Sequence, residues 1–272
     1  MSTSSSGSSN PRKKAAAARA EQLAKEKRRD RMVKIVGGVV VAVVVIGIVA
    51  LAVLSSKKSS TDAGPTATPN PTYTLPTGVD PATYGYVVNK AAPATAPKVD
   101  IWEDYQCPAC KQFEEAGSGP AVVAAGKAGK YNVQLRPTTF LDTNMRNTAS
   151  AAATSAWGCA INAGKGLEYH GTVFANQPAT EGTGYTSAQL LDFGKQAGIT
   201  GAAFDTFTSC VNANTFLGWA ANSTEEFGKQ QFTKTAGTPA VFVNGKELAN
   251  TGGIYADPQK LLAAIDQAAA AK

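Results

Sequence analysis

Val99–Glu115 reads VDIWEDYQCPACKQFEE. Lys98–Tyr105 (KVDIWEDY) has the branched and aromatic character of a strand, and it runs directly into Cys107. Pro108 then stands where the first turn of a helix should lie. Proline suits that place because its missing N–H would have no helical partner there. The helix is expected to continue to about Ala116. Cys107 thus sits at an exposed helix tip, with Cys110 one turn further on. The partial positive charge of the tip favours thiolate over thiol, and cysteines so placed drop from a pKa of about 8.5 to between roughly 3.5 and 7.5.

Outward from this stretch, Tyr84–Val88 reads as a first strand, Pro120–Lys130 as a second helix and Asn132–Phe140 (NVQLRPTTF) as a further strand. Residues 143–232 change character and hold helical patterns over Met145–Ala163, Leu167–Asn176, Thr186–Ala197, Phe204–Val211 and Thr215–Phe232. Pro239–Val243 (PAVFV) is a short apolar strand, Asn244-Gly245 a hairpin turn and Glu247–Asn250 its returning partner, with Pro258–Ala270 a closing helix. The order predicts an α/β fold. Residues 83–142 and 233–272 form a mixed sheet covered by helices, and residues 143–232 form an α-helical insertion.

The chain has 272 residues and a net charge of +6, but ten of its 26 basic residues lie in residues 1–34 with three of its 20 acids. The remaining 16 basic and 17 acidic residues nearly cancel, so the charge belongs to a tail and does not point to nucleic acid. Ile35–Leu54 is an uncharged run of twenty residues, long enough to span roughly 30 Å of bilayer core as a helix. It is read as a transmembrane anchor; a signal segment cleaved near Ala50-Leu51-Ala52 is the alternative. The basic residues before it place the N-terminus in the cytoplasm and everything from residue 55 outside, at the cell membrane. Lys13–Arg31 fits a basic helix near anionic lipid or a solvated tail. Residues 55–82, rich in Ser, Thr and Pro, read as a linker.

A CxxC alone can hold a metal, form a redox pair or mean nothing. Here a strand delivers it to a helix tip, the expected compartment lets disulfides persist, and Thr238-Pro239 opens a strand far along the chain. Val99–Glu115, together with Gly237-Thr238-Pro239-Ala240-Val241-Phe242-Val243-Asn244-Gly245, resembles the DsbA-like thioredoxin family, most closely its membrane-anchored members from Gram-positive bacteria. The similarity extends over roughly residues 84–271. The resemblance implies a thioredoxin-like fold, a cis peptide bond before Pro239 beside Cys107, and a redox-active disulfide between Cys107 and Cys110. It implies oxidation of reduced, unfolded secreted proteins and reoxidation by a membrane partner of the DsbB or VKOR type. Thr238 would offer backbone groups to an extended substrate. A disulfide reductase with the same site is the alternative within the class. A chaperone or peptide-binding module without redox turnover is the alternative outside it.

Two departures from the family stand out. Many relatives carry an acid six residues before the first cysteine, where this chain has Ile101. Asp100, Glu103 and Asp104 are near, one strand cannot turn all three inward, and Glu103 is the candidate proton relay. Ala109 stands where several members have a histidine that hydrogen-bonds the thiolate.

Cys159 and Cys210 fall in the insertion, and an even cysteine count in this compartment points to a structural disulfide between them, with two buried free thiols as the alternative. The 48 and 50 residues separating Cys110, Cys159 and Cys210 lack the close pairs of a zinc site, so no metal is expected. Gly245, Gly252 and Gly253 read as turn glycines outside any phosphate-binding pattern, and no cofactor is expected. His170, the single histidine, is assigned to a helix surface or to packing. Asn222-Ser223-Thr224 fits a glycosylation sequon.

Overall fold

The structure is a computed structural model describing residues 73–233 and 236–271. The expected basic tail, the span 35–54 and the linker up to residue 72 lie outside the described residues. Among the described residues no helix is long and apolar enough to cross a membrane.

Among the described residues five strands form one mixed sheet: β1 (Tyr86–Val87), β2 (Lys98–Glu103), β3 (Asn132–Pro137), β4 (Ala240–Val243) and β5 (Lys246–Glu247), in the order β1-β3-β2-β4-β5. Only β2 and β3 are parallel. Alternation along β2 assigns its faces. Val99 and Ile101 join the large core with Val133, Leu135, Val241 and Val243, and Trp102 packs on the opposite face with Phe227, Ala240 and Phe242. Burying one such aliphatic chain contributes roughly 1.5–3 kcal/mol, so a one-residue slip, which exchanges the faces, is strongly disfavoured.

The helices are α1 (Pro108–Glu115), α2 (Ser118–Lys127), α3 (Phe140–Met145), α4 (Ala149–Asn162), α5 (Gly166–Ala175), α6 (Ser187–Gln196), α7 (Gly201–Asn212), α8 (Leu217–Gly228) and α9 (Pro258–Ala270). α6 starts in a capping box, with Thr186 and Gln189 each satisfying the other's backbone N–H. α9 starts on Asp257, whose carboxylate accepts from the N–H groups of Gln259 and Lys260, with Pro258 as its first residue.

Several boundaries differ from expectation. The strand expected over Asn132–Phe140 ends at Pro137, because the carbonyl of Pro137 accepts from the Ser223 hydroxyl and Phe140 opens α3. Met145 closes α3 instead of opening the long Ala-rich helix. The turn between them holds Arg146 at φ 54°, and α4 begins at Ala149. The first strand shrinks to two residues because Tyr84 takes φ 58°, outside any strand. Residues 73–82, within the stretch read as a linker, pack on the fold. Pro76 and Val79 are buried, Tyr73 meets Tyr84, and Thr77 N–H donates to Asn162. Composition alone hid these apolar anchors.

The antiparallel pairing of β2 with β4 matters most for the site. Val99 faces Val243, Ile101 faces Val241 and Trp102 faces Ala240. The chain leaving β2 toward Cys107 is therefore carried past the residues that enter β4, Thr238 and Pro239.

Candidate active site

Cys107 is the N-cap of α1, in extended backbone conformation, and Pro108 is the first helical residue. The Cys107 carbonyl accepts from the N–H groups of Cys110 and Lys111, closing the first turn. The two cysteines are free thiols. Cys107 is 7% exposed and Cys110 is fully buried. The exposed residues at the tip are Pro108 and Ala109, and the Cys107 sulfur is tucked against the segment that enters β4. The peptide bond between Thr238 and Pro239 is cis. Cys107 Sγ donates to the Thr238 carbonyl at 3.3 Å.

The two sulfurs differ sharply in acidity. Cys107 is lowered to about 6, chiefly because the Cys110 thiol donates to its sulfur, helped by Thr238 and by the backbone N–H groups of Cys110 and Ala109, against a desolvation penalty. The hydroxyl of Thr238 has no hydrogen bond while the thiol is protonated. It therefore contributes as a donor once the sulfur is an anion. Ala109 supplies its N–H where a histidine side chain is lacking. Burial pushes Cys110 well above the ordinary thiol range, and the neighbouring Cys107 adds to the effect.

The loop leading to Cys107 is held from the helical insertion, which sequence reasoning did not foresee. Gln177 Nε2 donates to the carbonyls of Tyr105 at 2.8 Å and Cys107 at 3.0 Å, and the Tyr185 hydroxyl donates to Tyr105 at 2.6 Å. The Gln106 amide contacts Asp142, Asn147 and Ser150. Asp104 accepts from Gln106 N–H, Leu141 N–H and the Ser150 hydroxyl. Burial raises its carboxyl to about 7 against those bonds.

The three acids near the motif take three positions. Asp100 pairs with Arg136 at 3.7 Å on the Trp102 face, where the guanidinium stacks on that ring. Glu103 shares the face of Ile101 and is 5% exposed. Asp104 is also buried, because β2 ends at Glu103 and the alternation of a strand no longer applies. Burial, and then the charge of Cys107, hold the Glu103 carboxyl well above the usual carboxylate range. His170 is buried in packing rather than on a surface. It lies against Trp157, Tyr105 and Phe174, its Nδ1 bonds the Tyr105 hydroxyl at 2.9 Å, and burial lowers its pKa. Glu114, from α1, lies 4.0 Å from His170 Nε2, and burial raises it to about 8. Glu114 carried no signal in the sequence beyond its place one helical face along from Cys107.

Away from this centre, Cys159 of α4 and Cys210 of α7 are joined in a disulfide. The sequon residue Ser223 is buried.

A family model described as thioredoxin matches residues 89–267, more than half of the chain. Among solved structures, the chain is similar to the MdbA protein of Corynebacterium diphtheriae, a thiol-disulfide oxidoreductase, at 22% identity and a TM-score of 0.55, over 70% of this chain and 94% of that one. It is similar to the MdbA protein of Actinomyces oris, also a thiol-disulfide oxidoreductase, at 18% identity and a TM-score of 0.57, over 71% and 92%. It is similar to oxidised BdbD of Bacillus subtilis at 20% identity and a TM-score of 0.55, over 72% and 98%. No match is found among curated proteins.

Proposed function

The chain belongs to the thioredoxin family, and from that premise we propose that it is an extracytoplasmic thiol–disulfide oxidoreductase that oxidises dithiols of secreted proteins through Cys107 and Cys110. One observation carries the reading. The less buried sulfur, the one beside the cis-Pro239 segment, is the acidic one, and the sulfur behind it is fully shut in and holds its proton. In the oxidised enzyme a substrate thiolate attacks Cys107, and Cys110 leaves with a proton. Glu103, whose carboxyl burial holds well above the usual carboxylate range and which is electrically coupled to Cys110, is the proposed source of that proton. A second substrate thiolate then attacks the substrate sulfur of the mixed disulfide and expels the Cys107 thiolate. Two electrons pass from the substrate dithiol to the enzyme. The Thr238 segment receives the substrate chain as an added strand.

A leaving group already stable as an anion makes the enzyme disulfide a strong oxidant, which favours oxidation over reduction. The similar MdbA structures carry the same class of activity in their names. The twenty-residue apolar run and the basic tail before it support anchoring through residues 35–54 with the catalytic domain outside. Reoxidation then falls to a membrane partner of the DsbB or VKOR type.

The test mixes the oxidised full chain with a reduced, unfolded protein and counts thiols. Stoichiometric loss of substrate thiols, absent in Cys107→Ser, is expected. Suppressed aggregation that survives in Cys107→Ser/Cys110→Ser, with no thiol loss in either form, overturns the reading in favour of a chaperone. Direction is read by titrating the pair against glutathione. A potential near −120 mV marks an oxidase, and one near −270 mV a reductase.

A further inference from the structure

Beneath the redox pair, three residues distant in sequence meet. Glu103 ends β2, Glu114 lies on α1 and His170 on α5, and one ligand atom of each lies within 4.8 Å of the others. His170 Nε2 is 3.2 Å from Glu103 Oε2, close enough for a hydrogen bond, yet none forms. Both oxygens of Glu103 and Nε2 of His170 are buried without a hydrogen bond. An atom buried in this way gives up its hydrogen bonds to water for nothing in return, so three in one place point to a shared partner. The other ring nitrogen of His170 is held by the Tyr105 hydroxyl, the outer contact that orients a ligating imidazole. Glu103 and His170, though not Glu114, line a cavity of about 10 Å³, bounded also by Tyr105, Arg136, Trp157 and Phe174. That is close to the least volume that holds a single small occupant.

We propose that Glu103, Glu114 and His170 bind a divalent transition-metal ion of the Zn²⁺ type. Two carboxylates and an imidazole make a three-ligand set with one position open, and the nitrogen ligand selects Zn²⁺ over Ca²⁺ or Mg²⁺. The ion would hold Glu103 as an anion, so the proton relay through Glu103 operates only in the metal-free protein.

The experiment uses the full chain with Cys107→Ser/Cys110→Ser, so that the thiols cannot compete for the ion and the outcome is independent of redox turnover. His170 is the only histidine, so ¹⁵N-histidine labelling gives one imidazole. Titration with Zn²⁺ should move the Nε2 resonance and saturate at one equivalent, and Glu114→Gln should lose this response. An Nε2 resonance that stays put in excess Zn²⁺, or a response unchanged by Glu114→Gln, overturns the proposal and assigns the cavity to water.

Discussion

The sulfur of Cys107 donates to the carbonyl oxygen of Thr238, 131 residues further along the chain, at 3.3 Å. The contact follows from β-sheet register, since Trp102 faces Ala240 and the two segments beyond that pair must run alongside one another. It also sets the chemistry. A protonated sulfur gives its hydrogen to the carbonyl. A thiolate cannot, and it draws first on the Cys110 thiol and then on the Thr238 hydroxyl and the N–H groups of Cys110 and Ala109.

Thr238→Val keeps the shape and removes that hydroxyl. A hydrogen bond to a charged group contributes about 1.5–3 kcal/mol, of which partial solvent access at Cys107 leaves about half. The midpoint of Cys107 alkylation with pH should therefore rise by about one unit. An unchanged midpoint would show that the hydroxyl does not reach the anion.

Stability of the reduced protein should depend on pH through Cys107. Its folded value of about 6 lies below the ordinary thiol value of 9.0. Such a group stabilises the fold fully above the unfolded value and loses that contribution as pH falls through the folded one. Reduced protein should thus gain on Cys107→Ala as pH rises from 6 toward 9, by about 2–3 kcal/mol at pH 8. Paired urea melts at pH 6 and pH 8 measure it, and a constant difference counts against the acidic thiol.

Gln177 joins the insertion to the redox loop by donating to two carbonyls, and it is 6% exposed. Gln177→Ala removes two buried hydrogen bonds, while Tyr185 still serves the Tyr105 carbonyl and the Cys110 and Lys111 N–H groups the Cys107 carbonyl, and should cost about 1–3 kcal/mol at the usual net value of two such bonds. Thiol exchange should slow as well, because the loop that positions Cys107 loosens. Stopped-flow exchange and a urea melt on the same variant separate the two effects.

The Cys159–Cys210 disulfide closes a loop of 51 residues between α4 and α7. Its replacement by Cys159→Ser/Cys210→Ser should destabilise the protein by about 4 kcal/mol on a chain-entropy basis, with exchange at Cys107 retained in the folded fraction. A urea midpoint equal to that of the parent protein would contradict this.

Much of the fold was legible because its signals are local. Strand character in Lys98–Tyr105, proline after Cys107, Asn244-Gly245 in a hairpin and the cap before α6 each act within a few residues. Tertiary contacts decided the rest. Asp104 looked like a strand acid until the strand ended at Glu103. His170 looked like surface or packing until α5 laid it against Tyr105 and Glu103. Gln177, Asn147 and Tyr185 gave no sign that they hold the redox loop, because their partners are backbone carbonyls and amides brought near only by folding. Tyr73–Val79 lay within a Thr/Pro-rich stretch whose average composition hid the apolar residues that dock it.

The most direct measurement is the rate of iodoacetamide labelling of the reduced full chain against pH, read by mass spectrometry at each cysteine. Labelling at Cys107 with a midpoint near pH 6, and no labelling at Cys110 in the folded protein, is the expected result. A midpoint near 9 at Cys107, or equal labelling of both sulfurs, would contradict it.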